Sequence, residues 1–591
     1  MLQDIVKERI QKTVNSLQIE DEVHLEHPAN SSFGDFTTNI ALQAAKTLKK
    51  NPVEVAEEIA KALPLDAVIE KVEVVKPGFI NIWLSKKLLI SELETIYTQK
   101  DSYGSNTWGN DMKWLIEHTS PNPNKAMHLG HLRNNVTGMA LANLWEFIGI
   151  EVVRDCIDNN RGIAIAKLMW GYLKFARKDG KDITNNHTIY PDPYDYWAGH
   201  KDEWATPDDL KMRPDTFVDD LYVKGSEDFK DKDVETKVRI MVVEWEQGVQ
   251  KIRELWKQVL DYSYEGQNRT LKRLGNRWDK VWHEHEHYQM GKDIVEEGLK
   301  KGIFKKTESG AVVSDLEKYK LPDTIIIKTD GTSLYITQDL ALTKLKRDTF
   351  HPDKLHWVIG PEQSLALRQL FAICEQLGIG KLTDYIHIDY GYMSLKGKGK
   401  MSSREGNVVY IDDLIDQAKE VIKEKMDKSK FSENEIDETA EKIAVGAIKY
   451  SILKSGRTTN TAFDFETSLT FDGDSGPYLE YVYVRAKRLL ETEFDHKVQN
   501  DYDLNEEELH VLRLLSKFPT VVLNSALQYA PNFIATYLFD LAQTFNFFYQ
   551  KHQILKSSED TKNFRLMLTE ATAQVIKNGL KLLGVETVER M

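Results

Sequence analysis

Apolar residues in the middle of the chain recur at two different spacings. Trp114-Leu115-Ile116 form a continuous run typical of a buried strand, and Val152-Val153-Arg154-Asp155-Cys156-Ile157 form a second strand-like segment. Between them lies a helical pattern that ends at Gly149. The apolar face of this helix comprises Leu132, Val136, Ala140 and Leu144. The order strand, helix, strand predicts a doubly wound parallel sheet, the Rossmann-like form of the α/β class.

Hydrophobic patterning predicts a multidomain α/β chain in four parts. Residues 1–108 mix helical stretches with alternating runs and indicate an α+β accessory domain. Residues 109–400 carry the Rossmann-like domain, with a polar insertion at about 170–295. Residues 401–475 form a connecting stem region, and residues 476–591 follow the helical period of an all-α bundle.

Strand-like runs return after the predicted insertion, at residues 324–327, 355–359 and 386–388. We therefore expect the parallel sheet to be interrupted and then resumed.

Composition narrows the class of protein. The 591 residues are 41% hydrophobic and 29% charged, and no apolar stretch approaches the ~18 residues of a membrane span. The first residues place charges among apolar positions, unlike a signal peptide. Cys156 and Cys374 are the only cysteines and form no C-x-x-C pair, which favours a reducing cytoplasm over a disulfide framework. We expect a cytoplasmic protein with no membrane partner.

The net charge of −14 is mild evidence against a nucleic-acid partner, because phosphate binding usually needs a basic surface. The charge is unevenly distributed. Residues 476–591 contain 13 Lys and Arg against 15 Asp and Glu, a balance of −2. A local basic face around Arg485, Lys487 and Arg488 therefore remains open.

Two short motifs carry the candidate chemistry. His128 and His131 fall at the start of the predicted helix, where free backbone N–H groups and the helix dipole favour an anion. Gly130 between them leaves room for a base or ribose. Far along the chain, Lys400 opens the sequence Lys-Met-Ser-Ser-Arg. The alternative for the first motif alone is a histidine pair that caps a helix, and for the second alone it is a solvated basic loop. The two motifs together indicate phosphate chemistry.

The motifs His-Leu-Gly-His and Lys-Met-Ser-Ser-Arg resemble the HIGH and KMSKS motifs of class I aminoacyl-tRNA synthetases. Ser-Pro-Asn at 120–122 and Glu-Gly-Asn-Val-Val at 405–409 are similar to the arginyl-tRNA synthetases in particular. The resemblance implies activation of L-arginine by ATP with Mg²⁺, and transfer of arginine to tRNA(Arg). It also implies an N-terminal domain that touches the tRNA and a C-terminal bundle that reads the anticodon. We separately expect a monomer.

Adenylate formation needs hydrogen-bond donors and positive charge rather than a nucleophile. His128, His131 and Lys400 fit this role, and the resemblance adds Gly130 as an ATP-binding residue. The other ATP-binding positions that it implies are Met401, Ser402 and Ser403. Ser403 stands where the family-wide motif has a second lysine. We hypothesise that Lys125 supplies the missing charge; an ordinary exposed lysine is the alternative.

Arginine selection calls for a carboxylate that takes the guanidinium fork. Tyr335 and Asp339, four residues apart, share a face if the segment is helical. By resemblance these two line the arginine pocket, and Glu117, Asn122 and Gln363 complete it.

Other candidates are less specific. Arg485 and Tyr549 are proposed tRNA contacts, although most aromatic residues near Tyr549 have core spacing. His283, His285 and His287 form an alternating triplet that would suit zinc on a strand. Flanking glutamates favour an exposed polar face instead, so no protein-bound metal is expected.

Three interpretations compete. The first is an arginine-specific enzyme. The second keeps the reaction but changes the amino acid to glutamate, glutamine or cysteine, against which the acidic Asp339 argues. The third is a catalytically silent RNA-binding or regulatory relative, which should have lost a motif histidine or Lys400. This chain keeps all three residues.

Overall fold

A computed structural model describes residues 2–28, 31–184, 193–329, 335–397, 408–496 and 502–591. The N-terminal part is an antiparallel sheet of order β1-β3-β2 covered by helices. Its elements are α1 (Leu2–Ser16), β1 (Phe36–Thr38), α2 (Ile40–Leu48), α3 (Pro52–Ala62), β2 (Ile69–Val75), β3 (Phe79–Leu84) and α4 (Lys86–Gln99). This agrees with the predicted α+β accessory domain.

The central part begins with strands and helices in alternation and then makes a long helical excursion. These elements are β4 (Lys113–Glu117), α5 (Leu129–Phe147), β5 (Glu151–Asp158), α6 (Ile163–Phe175), α7 (Pro193–Gly199), α8 (Pro214–Asp228), α9 (Lys232–Glu246) and α10 (Gln250–Arg273).

After the excursion the chain returns to the sheet. The elements are β6 (Lys280–His283), α11 (Glu284–His287), α12 (Met290–Lys300), β7 (Phe304–Lys306), β8 (Val312–Ser314), β9 (Ile325–Ile327), α13 (Tyr335–Phe350), β10 (Lys354–Val358), α14 (Ser364–Leu377), β11 (Tyr385–Ile388) and β12 (Met393–Leu395).

The central sheet is parallel and has the order β11-β10-β4-β5-β6. From β4 the chain first moves outward through β5 to β6, and later returns to the other side of β4 with β10 and β11. The strand order therefore reverses between β4 and β10, and ligands of such sheets bind at the carboxyl ends of strands at this point. The predicted Rossmann-like fold is confirmed.

Two predicted details differ from the structure. The run 324–327 supplies β9, which belongs to a separate antiparallel sheet with β7 and β8. Within the stretch 170–295, predicted as an insertion, β6 pairs in parallel with β5. Lys280-Val281-Trp282-His283 contains too few apolar residues to be recognised as a strand, because it lies at the edge of the sheet.

The C-terminal part is helical. Its elements are α15 (Ile411–Lys425), α16 (Glu433–Leu453), β13 (Thr461–Phe463), α17 (Phe465–Ser468), α18 (Gly476–Leu489), α19 (Glu506–Leu527), α20 (Asn532–Lys551) and α21 (Glu559–Leu582). The strand β13 pairs in parallel with β12. The predicted helical bundle is confirmed. Among the described residues, no helix is both long and apolar enough to cross a bilayer.

The C-terminal helices pack on both other parts of the chain. The indole N–H of Trp145 on α5 donates to the carbonyl of Ala526 at 3.0 Å, and the hydroxyl of Tyr103 donates to the carbonyl of Leu515 at 3.0 Å. Both aromatic side chains are buried. One apolar core therefore runs through the N-terminal part, α5 and the C-terminal helices.

Candidate functional site

His128 and His131 cap the first turn of α5 through a reciprocal pair of hydrogen bonds. The backbone N–H of Gly130 donates to Nδ1 of His128, and the backbone N–H of His128 donates to Nδ1 of His131, both at 3.1 Å. The two ring centroids are 4.1 Å apart. The caps satisfy backbone donors of the first turn and fix both imidazole rings.

This capping sets the proton position on each ring. A neutral imidazole that accepts at Nδ1 carries its hydrogen on Nε2. Burial and the neighbouring Lys125 lower the pKa of His128 to about 4, and burial together with His128 lowers the pKa of His131 well below its usual value. Both histidines are therefore neutral near pH 7, with Nε2–H available as a hydrogen-bond donor.

Gly130 makes room for the ring of His128. A Cβ on residue 130 would lie 3.0 Å from Cε1 of His128, a tight contact that would push the ring by a few tenths of an ångström. The absence of this side chain lets the ring fold over the helix start.

A cavity of ≈ 330 Å³ lies between the start of α5 and the segments that follow β10 and β11. Its lining residues include His128, Gly130, Gly360, Glu362, Tyr392, Met393 and Val408. Arg133, also in the lining, is 1% exposed and donates to the carbonyls of Arg457 and Thr459 at 2.9 and 2.7 Å. Arg133 thus fastens α5 to the chain beside β13.

The second motif falls outside the described residues, including Lys400, Met401, Ser402 and Ser403. The chain on either side of that stretch lies at the cavity, because Met393 and Val408 both line it. Tyr410 then forms an antiparallel backbone bridge with His128, and the N–H of Ile411 donates to the carbonyl of Met127 at 3.0 Å. The first motif and the described residues on either side of the second motif therefore lie at the same cavity.

A larger cavity of ≈ 890 Å³ contains three of the predicted residues: Asn122, Lys125 and Tyr335. Tyr335 is 85% exposed at the start of α13. Nζ of Lys125 lies 5.5 Å from the ring centroid of Tyr222 on α8. The helical excursion therefore supplies a wall of this cavity.

Asp339 and Glu117 line a small cavity of ≈ 50 Å³ together with Lys346. Lys346 is fully buried and donates to Oε2 of Glu117 at 2.6 Å and to Oδ2 of Asp155 at 2.8 Å. Burial alone would lower the pKa of Lys346, but Asp155 and Glu117 outweigh it and raise that pKa. Burial and the charge of Glu117 raise the pKa of Asp339 to about 7.

Sequence reasoning missed Lys346 and Asp155. Lys346 follows Asp339 by seven residues on α13, which places both on one helix face, and this spacing was the available signal. Gln363 closes a 3₁₀ turn after β10, next to Glu362 of the first cavity. The residues predicted to bind arginine therefore do not share one cavity, and their roles stay predictions.

Arg485 and Tyr549 lie together on α18 and α20. The guanidinium of Arg485 lies 5.1 Å from the ring centroid of Tyr549 and donates to Oδ1 of Asn546 at 2.9 Å and to the hydroxyl of Tyr481 at 2.7 Å. The spacing argument also holds nearby: Phe545 and Phe548 are buried, whereas Phe547 is 58% exposed.

The histidine triplet does not form an alternating strand. His283 ends β6, while His285 and His287 belong to α11. Nδ1 of His283 contacts Oδ2 of Asp158 at 2.6 Å, and Nδ1 of His285 contacts the Asn160 side chain. Within the described part of the chain, no group of His, Cys, Asp and Glu has the arrangement of a metal site.

Comparisons with known proteins agree with this geometry. A family model of the class I (R) tRNA synthetase catalytic domain matches residues 92–174 and 203–465. The arginyl tRNA synthetase N terminal domain matches residues 1–84, and the DALR anticodon binding domain matches residues 479–591. The fold and the matched domains are those of a class I aminoacyl-tRNA synthetase.

The relatives define the family within this class. The chain is 32% identical to an arginine–tRNA ligase of Treponema denticola over 97% of its own length and 95% of that protein. It is 31% identical to one of Borrelia hermsii over 99% of each. The chain belongs to the arginyl-tRNA synthetase family. A solved arginyl-tRNA synthetase from Thermus thermophilus, 21% identical, has the same fold over 100% of both chains, with a TM-score of 0.81.

Proposed function

We propose that this protein is an arginine–tRNA ligase. In the first step a carboxylate oxygen of L-arginine attacks the α-phosphorus of ATP, the bond to the β-phosphate oxygen breaks, and pyrophosphate leaves. In the second step a hydroxyl of the terminal tRNA ribose attacks the arginyl carbonyl carbon, and AMP leaves. The observation that carries this proposal is that His128 and the described residues on both sides of the Lys400 motif line one cavity. This cavity lies near the point where the strand order of the sheet reverses.

In the first step the protein supplies position and charge rather than a covalent intermediate. Nε2–H groups of His128 and His131 donate to phosphate oxygens, and Lys400 and Lys125 offset the charge that develops on the leaving pyrophosphate. Gly130 and residues 401–403 hold the rest of ATP. The Mg²⁺ ion that accompanies ATP is part of the substrate.

Arginine is selected by carboxylate chemistry. Asp339 accepts the guanidinium fork, with Tyr335, Asn122 and Gln363 as further polar contacts. Glu117 is already engaged by Lys346 at 2.6 Å, so it contributes negative potential through one shared oxygen and keeps its other oxygen for the substrate. Lysine would leave part of this donor–acceptor pattern unpaired, which costs a factor of order 10⁴ in sites of this kind.

The C-terminal helices carry the proposed tRNA-binding pair, Arg485 and Tyr549. The guanidinium of Arg485 lies close to the ring of Tyr549, so a cation and an aromatic ring are presented together, which is suited to an unpaired base. We propose further that the protein acts as a monomer in the cytoplasm, where arginine, ATP and tRNA meet.

Arginine-dependent exchange of pyrophosphate into ATP, measured with and without tRNA(Arg), tests the proposal. We expect exchange with arginine and none with lysine or glutamate. Exchange driven by another amino acid would replace the substrate while keeping the reaction. No exchange with any amino acid, with tRNA present, would favour the silent RNA-binding alternative.

A further inference from the structure

A second pocket lies at the junction of the central part and the C-terminal helices. Its volume is ≈ 270 Å³. One wall is the middle of α5, including Asn135 and Asn143, and another is formed by Lys449 on α16 and the chain end from Lys581 to Glu586. The ≈ 330 Å³ cavity beside His128, where ATP is proposed to bind, is lined by the start of the same helix, so the two sites are separate.

The lining of this pocket is basic. It contains four cations, namely Arg154, Arg277, Lys449 and Lys581, and one carboxylate, Glu586. Glu146, which lies outside the lining, forms ion pairs with Arg154 and Arg277. Oε2 of Glu586 lies 3.6 Å from Nζ of Lys442. Even with both glutamates counted, the positive charges are in excess. A basic pocket in a chain of net charge −14 favours an anionic occupant.

Two buried side chains in the lining have polar atoms without partners. Asn135 is fully buried; its Nδ2 donates to Asn276 Oδ1 at 2.7 Å, while its Oδ1 has no hydrogen-bond partner among the described residues. Arg154 is 1% exposed, and its Nε likewise has none. Buried polar groups are nearly always paired, so an unpaired acceptor and an unpaired donor among the side chains of one pocket lining favour a bound ligand.

Lys449 adds a third group with spare hydrogen-bonding capacity. Its Nζ donates to the carbonyl of Gly584 at 2.6 Å, which uses one of three ammonium hydrogens. Burial lowers the pKa of Lys449 to about 8, and the weaker attraction of Glu586 does not restore it. A nearby anion would favour the charged ammonium, because it offsets the cost of burial.

We propose that this pocket binds a phosphate group, as inorganic phosphate or as a small phosphomonoester. The occupant must accept hydrogen bonds from the cations and from Nε of Arg154, and it must donate one to Oδ1 of Asn135. A phosphate monoester or inorganic phosphate near neutral pH offers both, since its second proton dissociates at a pKa of about 6 to 7. Sulfate and a phosphodiester have only acceptor oxygens.

Such a ligand joins three parts of the fold. It contacts α5, α16 and the C-terminal residues at once, and therefore stabilises the junction between the nucleotide-binding part and the helical part. The chain end around Gly584, held by the hydrogen bond from Lys449, is the segment that should respond most strongly.

Hydrogen exchange of the full-length protein tests the proposal. A saturating non-hydrolysable ATP analogue fills the catalytic cavity throughout, and inorganic phosphate, glucose 6-phosphate or sulfate is added at constant ionic strength. We expect either phosphate compound to slow exchange in peptides covering residues 578–591, with sulfate at least tenfold weaker. The double variant Arg277→Gln, Lys581→Gln alters exposed side chains, so it should fold normally and weaken phosphate binding about tenfold or more.

The matched control is Lys562→Gln, which removes one charge from the same helix outside the pocket lining. This control should bind phosphate like the parent. An absent phosphate effect, or one undiminished in the double variant, would refute the site. Equal responses to sulfate and phosphate would refute the assigned role of Asn135 and the choice of ligand.

Discussion

The backbone of His128 forms an antiparallel bridge with that of Tyr410, and the side chain of the same histidine caps α5. Residues 129 to 409 lie between these two partners in the sequence. The bridge holds Tyr410, which belongs to the segment that follows the second motif, beside the histidine motif at the start of α5.

The neutral state of His128 predicts a flat pH profile. Because burial lowers its pKa to about 4, the ring is already uncharged at pH 6 and stays so at pH 8. Single-turnover adenylate formation at saturating arginine should therefore not fall between pH 6 and 8 through loss of an imidazolium. His128→Ala should reduce this rate about 100-fold or more, since a donor to the transition state is lost. A rate that drops with an apparent pKa near 6.5 as pH rises would contradict the neutral-donor role.

In contrast to the rate of adenylate formation, the KM for arginine should depend on pH because of Asp339. Its pKa is raised to about 7 by burial and by Glu117, so the carboxyl is largely protonated at pH 6 and ionised at pH 8. The KM for arginine should rise as pH falls, approaching tenfold per pH unit below 7. Asp339→Asn should raise KM about 100-fold at pH 8 and abolish this slope.

Tyr335, four residues before Asp339 on α13, gives the control for the Asp339 variant. Tyr335→Phe removes a polar contact without touching the carboxylate, and should weaken arginine binding while keeping the pH slope. A parent KM that is constant from pH 6 to 8 would remove Asp339 from its assigned place.

Removing the charge of Lys125 should slow adenylate formation, whereas removing a nearby lysine should not. Lys125→Ala should slow adenylate formation about tenfold or more, because a charged donor to phosphate contributes roughly 1.5–3 kcal/mol. Lys125→Arg should keep much of the rate. Lys292 lines the same large cavity, and Lys292→Ala should leave adenylate formation unchanged. Equal losses in the two alanine variants would show a general electrostatic effect instead.

Replacing the buried Glu480 by glutamine should stabilise the protein, and the gain should depend on pH. It is fully buried, neither carboxyl oxygen has a hydrogen-bond partner among the described residues, and burial raises its pKa well above 4.5. A raised carboxyl pKa means that the folded state is favoured at acid pH and loses this advantage as pH rises above 4.5. Glu480→Gln should therefore raise the free energy of unfolding by about 1–3 kcal/mol at pH 8, and by less at pH 5.

Calorimetry at the two pH values measures the effect of Glu480→Gln. Exposed Glu589 offers a charge-matched control, and Glu589→Gln should change the melting temperature little at either pH. Identical shifts at pH 5 and pH 8 for Glu480→Gln would argue against a buried, neutral carboxyl.

Local spacing in the sequence was sufficient for part of the fold and site. Strands β4 and β5 lie inside the sheet. The run at Trp114 is continuously apolar, and residues 152–157 are apolar at all positions except Arg154 and Asp155, so both strands were predictable. The capping of α5 follows from residues three apart. β6 and β9 were misjudged because short or peripheral strands carry little periodic signal.

Long-range ion pairs were beyond such reasoning. Lys346 meets Glu117 and Asp155 only because α13 packs against the ends of β4 and β5, which are about 190 to 230 positions earlier in the sequence. A lysine on a helix is ordinarily solvated, so the spacing of Lys346 from Asp339 was not sufficient to identify it as buried.

Helix α5 has 19 residues and is about 28 Å long, given 1.5 Å per residue. Its first turn holds the imidazole pair, and Trp145 near its other end is covered by the carbonyl of Ala526. Cutting the chain before Gly476 would strip that cover from the indole and remove the acceptor of Tyr103 as well. The nucleotide-handling half is therefore not a freestanding module, and a fragment that lacks the last helices should be insoluble or molten rather than a smaller working enzyme.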